Sequence, residues 1–272
     1  MDGGQQRARV AAGMEAALAG GWEALRTGSA LDAVVAAVAS MEDSGVFNAG
    51  RGSVTTTDGR IETDAAVMDG ATGRAGAICA ATWPANPIHA ALHVARLEHR
   101  GRGPILLAGP GADRLARSVG LPELESAVAP VEDLGSAGTV GAVEVDRDGH
   151  VAAATSTGGQ PGQRPGRVGD SAIFGAGTWA NDVTLAVSAT GAGEAFILAG
   201  FAHRVAWQLE HGHALDESLL DALDRVRQRG GSGGAIAVTA DGRFAVSWDT
   251  AVMARGWRHA HGVEVRVDGG MS

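Results

Sequence analysis

Apolar residues recur at helical spacing in six segments of the chain. The first covers residues 11–26 and ends before Gly28, and the second begins after Ser29. Ser29 and Asp32 lie three residues apart, which predicts a capping box with aspartate in place of glutamate. The other helices are predicted in the segments NPIHAALHVARLEHR, GADRLARSVG, GEAFILAGFAHRVAWQLEHG and ALDESLLDALDRVRQRG, and Asn86 is the predicted N-cap of the first of these.

Pairs of β-prone runs alternate with these helices. Each pair is separated by an Asp-Gly step, which is a strong signal for a β-hairpin. The three steps are Asp58-Gly59, Asp148-Gly149 and Asp241-Gly242. Several of the runs, such as GAVEV, VAAATS and GAIAV, are almost wholly apolar or small, which is typical of strands buried on both faces.

This alternation predicts an α+β fold in which two antiparallel sheets pack together between helices, an αββα sandwich. Residues 121–138 break the pattern with two prolines and an acidic bias. We interpret them as an exposed linker inside a single domain of residues 1–272.

Composition and charge exclude several functions. The 22 basic residues are all arginine, so neither a Schiff-base lysine nor a P-loop lysine is available. The net charge of −9 argues against a nucleic-acid partner. Neither an 18-residue apolar run nor a signal-peptide pattern is present, so we expect no membrane association and a cytoplasmic location.

Thr139 follows a run of small residues in the stretch LGSAGTVGAVEV and opens an apolar segment. It is either an ordinary strand residue or a nucleophile, and a threonine hydroxyl needs a base. The histidines of HGH (211–213) and HAH (259–261) lie in polar contexts and are expected at the surface. A chain cut before Thr139 would instead supply the α-amine of that threonine, with an ordinary pKa of about 7.7–8.0.

Five stretches carry a resemblance that spans residues 11–259. They are FNAGRGSVTTTDGRIETDAAVMDG, AGPGADRLARSVGL, GTVGAVEV, ATSTGGQPGQRPGRVGDSAIFGAGTWAND and SATGAGE. In combination they resemble the plant-type L-asparaginase/isoaspartyl peptidase family of N-terminal nucleophile hydrolases. The resemblance implies self-cleavage between Gly138 and Thr139 into an α chain (1–138) and a β chain (139–272).

The resemblance also implies roles for individual residues. Thr139 matches the nucleophile, and Thr157 matches a hydroxyl that tunes it. Arg167 matches the residue that grips the substrate α-carboxylate, for which a planar guanidinium fork is suited. Asp170 matches the residue that holds the α-ammonium.

Four further positions match parts of the family site. Thr190 and Gly191 match the oxyanion hole, and the carbonyl of Gly193 matches a second ligand of the substrate ammonium. Asn48 matches an asparagine that positions the nucleophile. The loop that runs from Glu42 to Arg51 matches a carbonyl loop that holds structural sodium in relatives, and no other cofactor is expected.

The activity implied is release of aspartate from asparagine or from β-aspartyl dipeptides, by a homodimer of cleaved protomers. The sequence departs from the family in lacking the usual first strand, of which Gly3-Gly4 would be a remnant. The linker before Thr139 is short, and Ala192 replaces a residue that is often polar. These departures leave open an uncleaved or altered member with a binding or biosynthetic role.

Two related activities fit less well. Glycosylasparaginases usually place aspartate before the nucleophile and isoleucine after it, whereas Gly138 and Val140 stand here. Threonine aspartases replace the ammonium-binding aspartate, whereas Asp170 is present.

Overall fold

A computed structural model describes residues 3–97, 103–125 and 138–268. The helices are α1 Gly3–Thr27, α2 Ala30–Ser44, α3 Pro87–Arg96, α4 Pro110–Ser118, α5 Gly193–Ala199, α6 Phe201–Glu210 and α7 Leu215–Gln228, with a 3₁₀ turn at Gly50–Gly52. The strands are β1 Thr63–Asp69, β2 Ala75–Ala81, β3 Leu106–Ala108, β4 Val140–Val145, β5 Val151–Thr157, β6 Thr178–Ala180, β7 Ala186–Gly191, β8 Gly233–Val238, β9 Phe244–Trp248, β10 Arg255–His259 and β11 Gly262–Arg266. The predicted α+β class is confirmed.

The described strands form two main sheets and a separate hairpin. The first sheet has the order β3-β2-β1-β5-β4, the second has the order β6-β7-β8-β9, and β10 pairs with β11. Strands β4 and β5 contact β7 of the second sheet, so the two sheets pack on each other. Helices α2 and α3 cover the first sheet, α6 and α7 contact the second, and α1 packs on α2 and the β10–β11 hairpin.

Local signals in the sequence were accurate at several turns. The Ser29–Asp32 capping box forms, and α1 ends at Thr27, before Gly28. The hairpins at Asp148-Gly149 and Asp241-Gly242 join β4 to β5 and β8 to β9.

The hairpin predicted at Asp58-Gly59 is wrong. This turn closes only an isolated bridge between Thr55 and Ile61, held by the Thr56 amide donating to the Arg60 carbonyl. Strand β1 instead pairs with β2 through the turn that begins at Asp69-Gly70, an Asp-Gly step that the hairpin prediction did not use. The longer pairing prevails because β1 and β2 are buried.

Other boundary predictions need correction. Asn86 occupies the N-cap position of α3, but its side chain donates to Asp43 and forms no cap. Glu42 accepts from the Ile88 amide in its place. The single helix predicted after Gly193 divides at Gly200, which has a positive φ of 57°.

Burial corrects one strand prediction and agrees with other expectations. The GAVEV segment is half-buried rather than buried, because β4 is the edge strand of its sheet. The HGH and HAH histidines are exposed, as expected. Gly3 and Gly4 lie in α1, and most of the predicted linker, residues 126–137, lies outside the described residues. Across the described ranges, none of the helices is both long and apolar enough to cross a membrane.

Candidate active site

Thr139 lies directly before β4, where β4 runs beside β5. Val140 pairs with Ser156, so Thr139 comes next to Thr157, the last residue of β5. The two hydroxyl oxygens are 3.2 Å apart, within hydrogen-bond distance. Thr157 is buried, and its oxygen also accepts from the Gly159 amide at 3.0 Å. The strand pairing therefore brings together the two threonines that the sequence predicts to interact.

Asn48 is fixed behind this threonine pair by three hydrogen bonds. Its Nδ2 donates to the Gly159 carbonyl at 2.7 Å, and its Oδ1 accepts from the Val54 amide at 2.9 Å. Its own carbonyl accepts from the Gly158 amide. A Cβ at Gly138 would lie 2.2 Å from Asn48 Nδ2, so glycine is required there by close approach.

Arg167 is held by a carboxylate that the sequence analysis did not assign to the site. Its Nε and Nη2 donate to the two oxygens of Glu194 at 2.8 and 2.9 Å, a bidentate pair. This arginine lowers the pKa of Glu194 below its ordinary value. Glycines border the rest of the guanidinium, because a Cβ at Gly169 or Gly193 would lie 3.0 or 3.1 Å from Nη1 or Nη2. The outer end of the fork is thus kept clear of side chains at these two positions.

Asp170 is buried three residues beyond this arginine. Its Oδ2 has no hydrogen-bond partner among the residues that the structure describes. Burial raises the pKa of Asp170 to about 7, and the positive charge of Arg167 offsets only part of that effect. A buried carboxyl with an unused oxygen is suited to receive a cationic group.

The segment from Thr190 to Gly193 joins β7 to α5 on the other side of the site. Gly191 adopts a φ of +147°, which disfavours any other residue, and it contributes to the cavity wall. Gly193 packs against Asp170, since a Cβ there would lie 2.9 Å from Asp170 Oδ1.

One small polar cavity contains most of the predicted site residues. Its lining consists of Gly138, Thr139, Thr157, Gly159, Gln160, Arg167, Gly169, Asp170, Ser171 and Gly191. Asn48 lies behind this wall, Gly193 supports Arg167 and Asp170, and Thr190 precedes Gly191 on β7. The structure therefore gathers residues from both predicted chains, 1–138 and 139–272, around one space.

Thr155, Thr178 and Ser188 form a buried hydroxyl network that the sequence did not predict. Thr155 Oγ1 lies 2.7 Å from Ser188 Oγ and 2.6 Å from Thr178 Oγ1, and the Thr178 hydroxyl donates to the Ser171 carbonyl at 2.9 Å. The network ties β5 to β6, to β7 and to the segment after Asp170. Alternation along the strands could have indicated inward-facing hydroxyls, but not which of them meet.

The loop from Glu42 to Arg51 contributes backbone oxygens. The carbonyl oxygens of Gly45 and Phe47 pack against Gly52, where a Cβ would meet both of them, and the Phe47 oxygen also accepts from the Ala49 amide. Glu42 is fully buried, and burial raises its pKa to about 8. Within the described part of the chain, no three His, Cys, Asp or Glu side chains form a metal-binding group.

Comparison with known proteins identifies the family of the chain. The family model described as Asparaginase matches residues 2–134 and 128–267. The chain is 42% identical to the plant-type L-asparaginase of Pyrobaculum calidifontis, covering 93% of this chain and 91% of that protein. It is 38% identical to the isoaspartyl peptidase of Escherichia coli, with 94% and 87% covered, and 37% identical to the isoaspartyl peptidase/L-asparaginase of Homo sapiens, with 91% and 86% covered.

Proposed function

The chain belongs to the asparaginase family, and from this premise we propose that it is a self-cleaving amidohydrolase with Thr139 as its nucleophile. Its substrates would be L-asparagine, β-aspartyl dipeptides, or both, and its product L-aspartate. The observation that carries the proposal is the shared cavity. It combines the Thr139–Thr157 hydroxyl pair with Arg167 and the buried carboxyl of Asp170.

Self-cleavage comes first in this mechanism. The Thr139 hydroxyl attacks the Gly138 carbonyl carbon, the C–N bond breaks, and an ester forms as the Thr139 amine is released. Water then hydrolyses the ester, which leaves the Gly138 carboxylate and a free α-amine on Thr139. The tight packing of Gly138 on Asn48 supports this step, because it restrains the bond that is to be cut.

Substrate recognition is assigned to the Arg167–Asp170 turn. Glu194 accepts from Nε and Nη2 of Arg167, and Gln163 Oε1 accepts from Nη1 at a longer 3.4 Å. The remaining N–H groups of Nη1 and Nη2 form the edge proposed for a substrate α-carboxylate. The substrate α-ammonium would pair with Asp170 and with the Gly193 carbonyl. Two opposite charges at fixed spacing select an amino-acid head group.

Turnover follows as acyl transfer in two steps. The Thr139 hydroxyl attacks the β-carboxamide carbon while the Thr139 α-amine accepts its proton and then passes it to the leaving amine. The Thr190 hydroxyl and the Gly191 amide would stabilise the oxyanion, and Thr157 would hydrogen-bond the nucleophile. Water attacks the acyl-enzyme, aspartate leaves, and the Thr139 hydroxyl is restored.

Intact mass and an aspartate-release assay test the proposal directly. We expect purified protein to show two fragments that meet at Gly138/Thr139. We also expect aspartate from asparagine or from a β-aspartyl dipeptide, and the relative kcat/KM values identify the preferred substrate. A chain that stays whole and releases no aspartate would instead favour the uncleaved binding or biosynthetic role.

Acid pH should raise KM through Asp170. Its pKa of about 7 lies above the ordinary value, so the carboxyl becomes protonated and neutral as the pH falls through 7. The neutral form attracts an ammonium group less, so KM should rise about tenfold per pH unit well below pH 7 and level off above it.

Steady-state kinetics from pH 5 to 8 separate this effect from titration of the Thr139 amine. The amine acts in the reaction step, so its protonation lowers kcat, whereas Asp170 acts on binding and changes KM. A KM that is constant over this range would contradict the assignment of Asp170.

For the loop from Glu42 to Arg51 we propose a structural sodium ion. Backbone carbonyl oxygens of this loop, such as that of Gly45, are hard neutral ligands of the type that hard cations accept. Bound there, sodium would supply only positive charge to brace the loop that carries Asn48.

The proposed fold type and oligomeric state also follow from the resemblance to the family. Sheet-on-sheet packing with helices outside each sheet supports the αββα sandwich of the N-terminal nucleophile hydrolases. We propose a homodimer of cleaved protomers in the cytoplasm, and sedimentation of the cleaved protein measures its mass.

A further inference from the structure

Asp64 lies in β1, next to the strand that ends in Thr157, and belongs to none of the groups assigned above. Its side chain is 3% exposed, and its backbone pairs directly with Thr157 across the β1–β5 ladder. On the other side, the β1–β2 register shifts between Thr63 and Ala65, so Asp64 faces an irregularity in β2. Such bulges commonly occur beside active sites.

The Asp64 side chain stabilises this irregularity. Ala80 has a φ of +46° and is the one non-glycine residue with positive φ among those described. Its amide donates to Asp64 Oδ1 at 2.8 Å, in place of a backbone partner on β1. The carboxylate thus supports a backbone conformation that is unfavourable by itself.

The second oxygen of Asp64 reaches the turn that carries the head-group residues. Oδ2 accepts from the Gly169 amide at 3.0 Å, across 105 positions of sequence. Gly169 lies between Arg167 and Asp170, and a Cβ there would lie 3.0 Å from Arg167 Nη1. One carboxylate therefore joins this turn to β1 at the residue paired with Thr157.

We propose that Asp64 is a positioning residue for substrate recognition. By bonding Gly169 it sets where Arg167 and Asp170 stand relative to the Thr139–Thr157 pair, without touching the substrate. The inference rests on the proposed function. A carboxylate is required because each of its oxygens accepts one amide, whereas an asparagine side chain has a single acceptor oxygen.

The charges around Asp64 fit this role. Burial raises its pKa to about 6, while the Ala80 and Gly169 amides and the charge of Arg167 act in the opposite direction. Three other titratable groups interact electrostatically with Asp64. Glu62, which directly precedes β1, raises the pKa of Asp64. Asp64 in turn raises the pKa of Cys79 on β2 and of Asp170 on the turn. At pH 7 and above the carboxylate form, which accepts both amides, predominates.

The test compares D64N with the matched control D113N. Asp113 is also a buried aspartate: its Oδ1 accepts the backbone amides of Thr82 and Trp83, and its Oδ2 accepts the Thr82 hydroxyl. Its partners do not line the cavity. We expect D64N to cleave itself and to show a KM raised on the order of 10- to 100-fold, with a much smaller change in kcat. D113N should keep the wild-type KM, whatever it loses in thermal stability.

Hydrogen exchange supplies a readout that needs no turnover. The Gly169 amide should exchange faster in D64N than in the wild type, and D113N should leave it unchanged. If D64N does not fold, D64E replaces it, because its longer side chain keeps the charge but displaces the turn and should also raise KM.

Two results would overturn the inference. One is a D64N variant with the KM and Gly169 exchange of the wild type, and the other is an equal rise of KM in D64N and D113N. A wild-type protein that releases no aspartate would refute the proposed function, and the exchange at Gly169 would still decide whether Asp64 holds the turn.

Discussion

Replacing Thr139 with alanine is expected to leave the chain whole and to stop hydrolysis. The variant T139A lacks the hydroxyl that would attack the Gly138 carbonyl, so no new N-terminus forms at position 139. It therefore loses the nucleophile and the free α-amine together, and the fall in kcat should be roughly 10⁴-fold or more. Intact mass detects the uncut chain, and aspartate release from a β-aspartyl dipeptide measures the residual activity.

T139S and T239A are the controls for this experiment. Serine keeps the hydroxyl and should retain both cutting and turnover at reduced rates. Thr239 is a buried threonine whose hydroxyl contacts the Asp241 carboxylate and the Arg243 carbonyl. It directly follows Val238, the last residue of β8. T239A should cleave and react as the wild type does. Normal cutting in T139A would show that another residue is the nucleophile.

Predictions from the sequence succeeded where the determining contacts are local. The Ser29–Asp32 capping box and two of the three Asp-Gly hairpins depend on residues within a few positions of each other. The turn at Asp58-Gly59 has the same local pattern, but burial of β1 against β2 and β5 decided the pairing instead. A turn sequence makes a hairpin possible at several places, and the packing of the flanking strands decides which of these hairpins forms.

Some residues of the site could be identified from sequence motifs, whereas others are identified only by their contacts in the folded structure. The resemblance drew attention to Thr139, Thr157, Arg167 and Asp170, and the fold brings these four around one cavity. Glu194 and Asp64 were not assigned although both stood in the quoted stretches. Their partners lie 27 and 105 positions away, so only the tertiary structure reveals what they contact.

Gly138 shows how one residue can be predicted for an incomplete reason. In the sequence, Gly138 ends the run of small residues before Thr139 and forms one side of the implied cut. The structure adds a steric cause, since a side chain there would collide with the amide of Asn48. That amide comes from a loop 90 residues earlier in the chain, beyond the reach of any local pattern.

The second large effect is expected from Arg167. R167A removes the fork assigned to the substrate carboxylate and leaves the carboxyls of Asp64, Asp170 and Glu194 without the cation between them. Truncating one member of a buried, hydrogen-bonded charge pair costs about 2–5 kcal/mol in binding, so KM should rise roughly 30- to 4,000-fold. R167K keeps the charge without the planar fork and should recover only part of the loss.

A shift in pH dependence distinguishes this role from a loss of packing. Arg167 lowers the pKa of Asp170, so its removal should raise that pKa further above 7. More Asp170 is then neutral at pH 7, and the pH below which KM rises should move upward in R167A. Arg204 is the matched control because it also pairs through Nε with a carboxylate, that of Asp221, between α6 and α7. R204A should keep the wild-type KM and its pH dependence. If the pH dependence of KM in R167A is the same as in the wild type, Arg167 does not act on the pKa of Asp170.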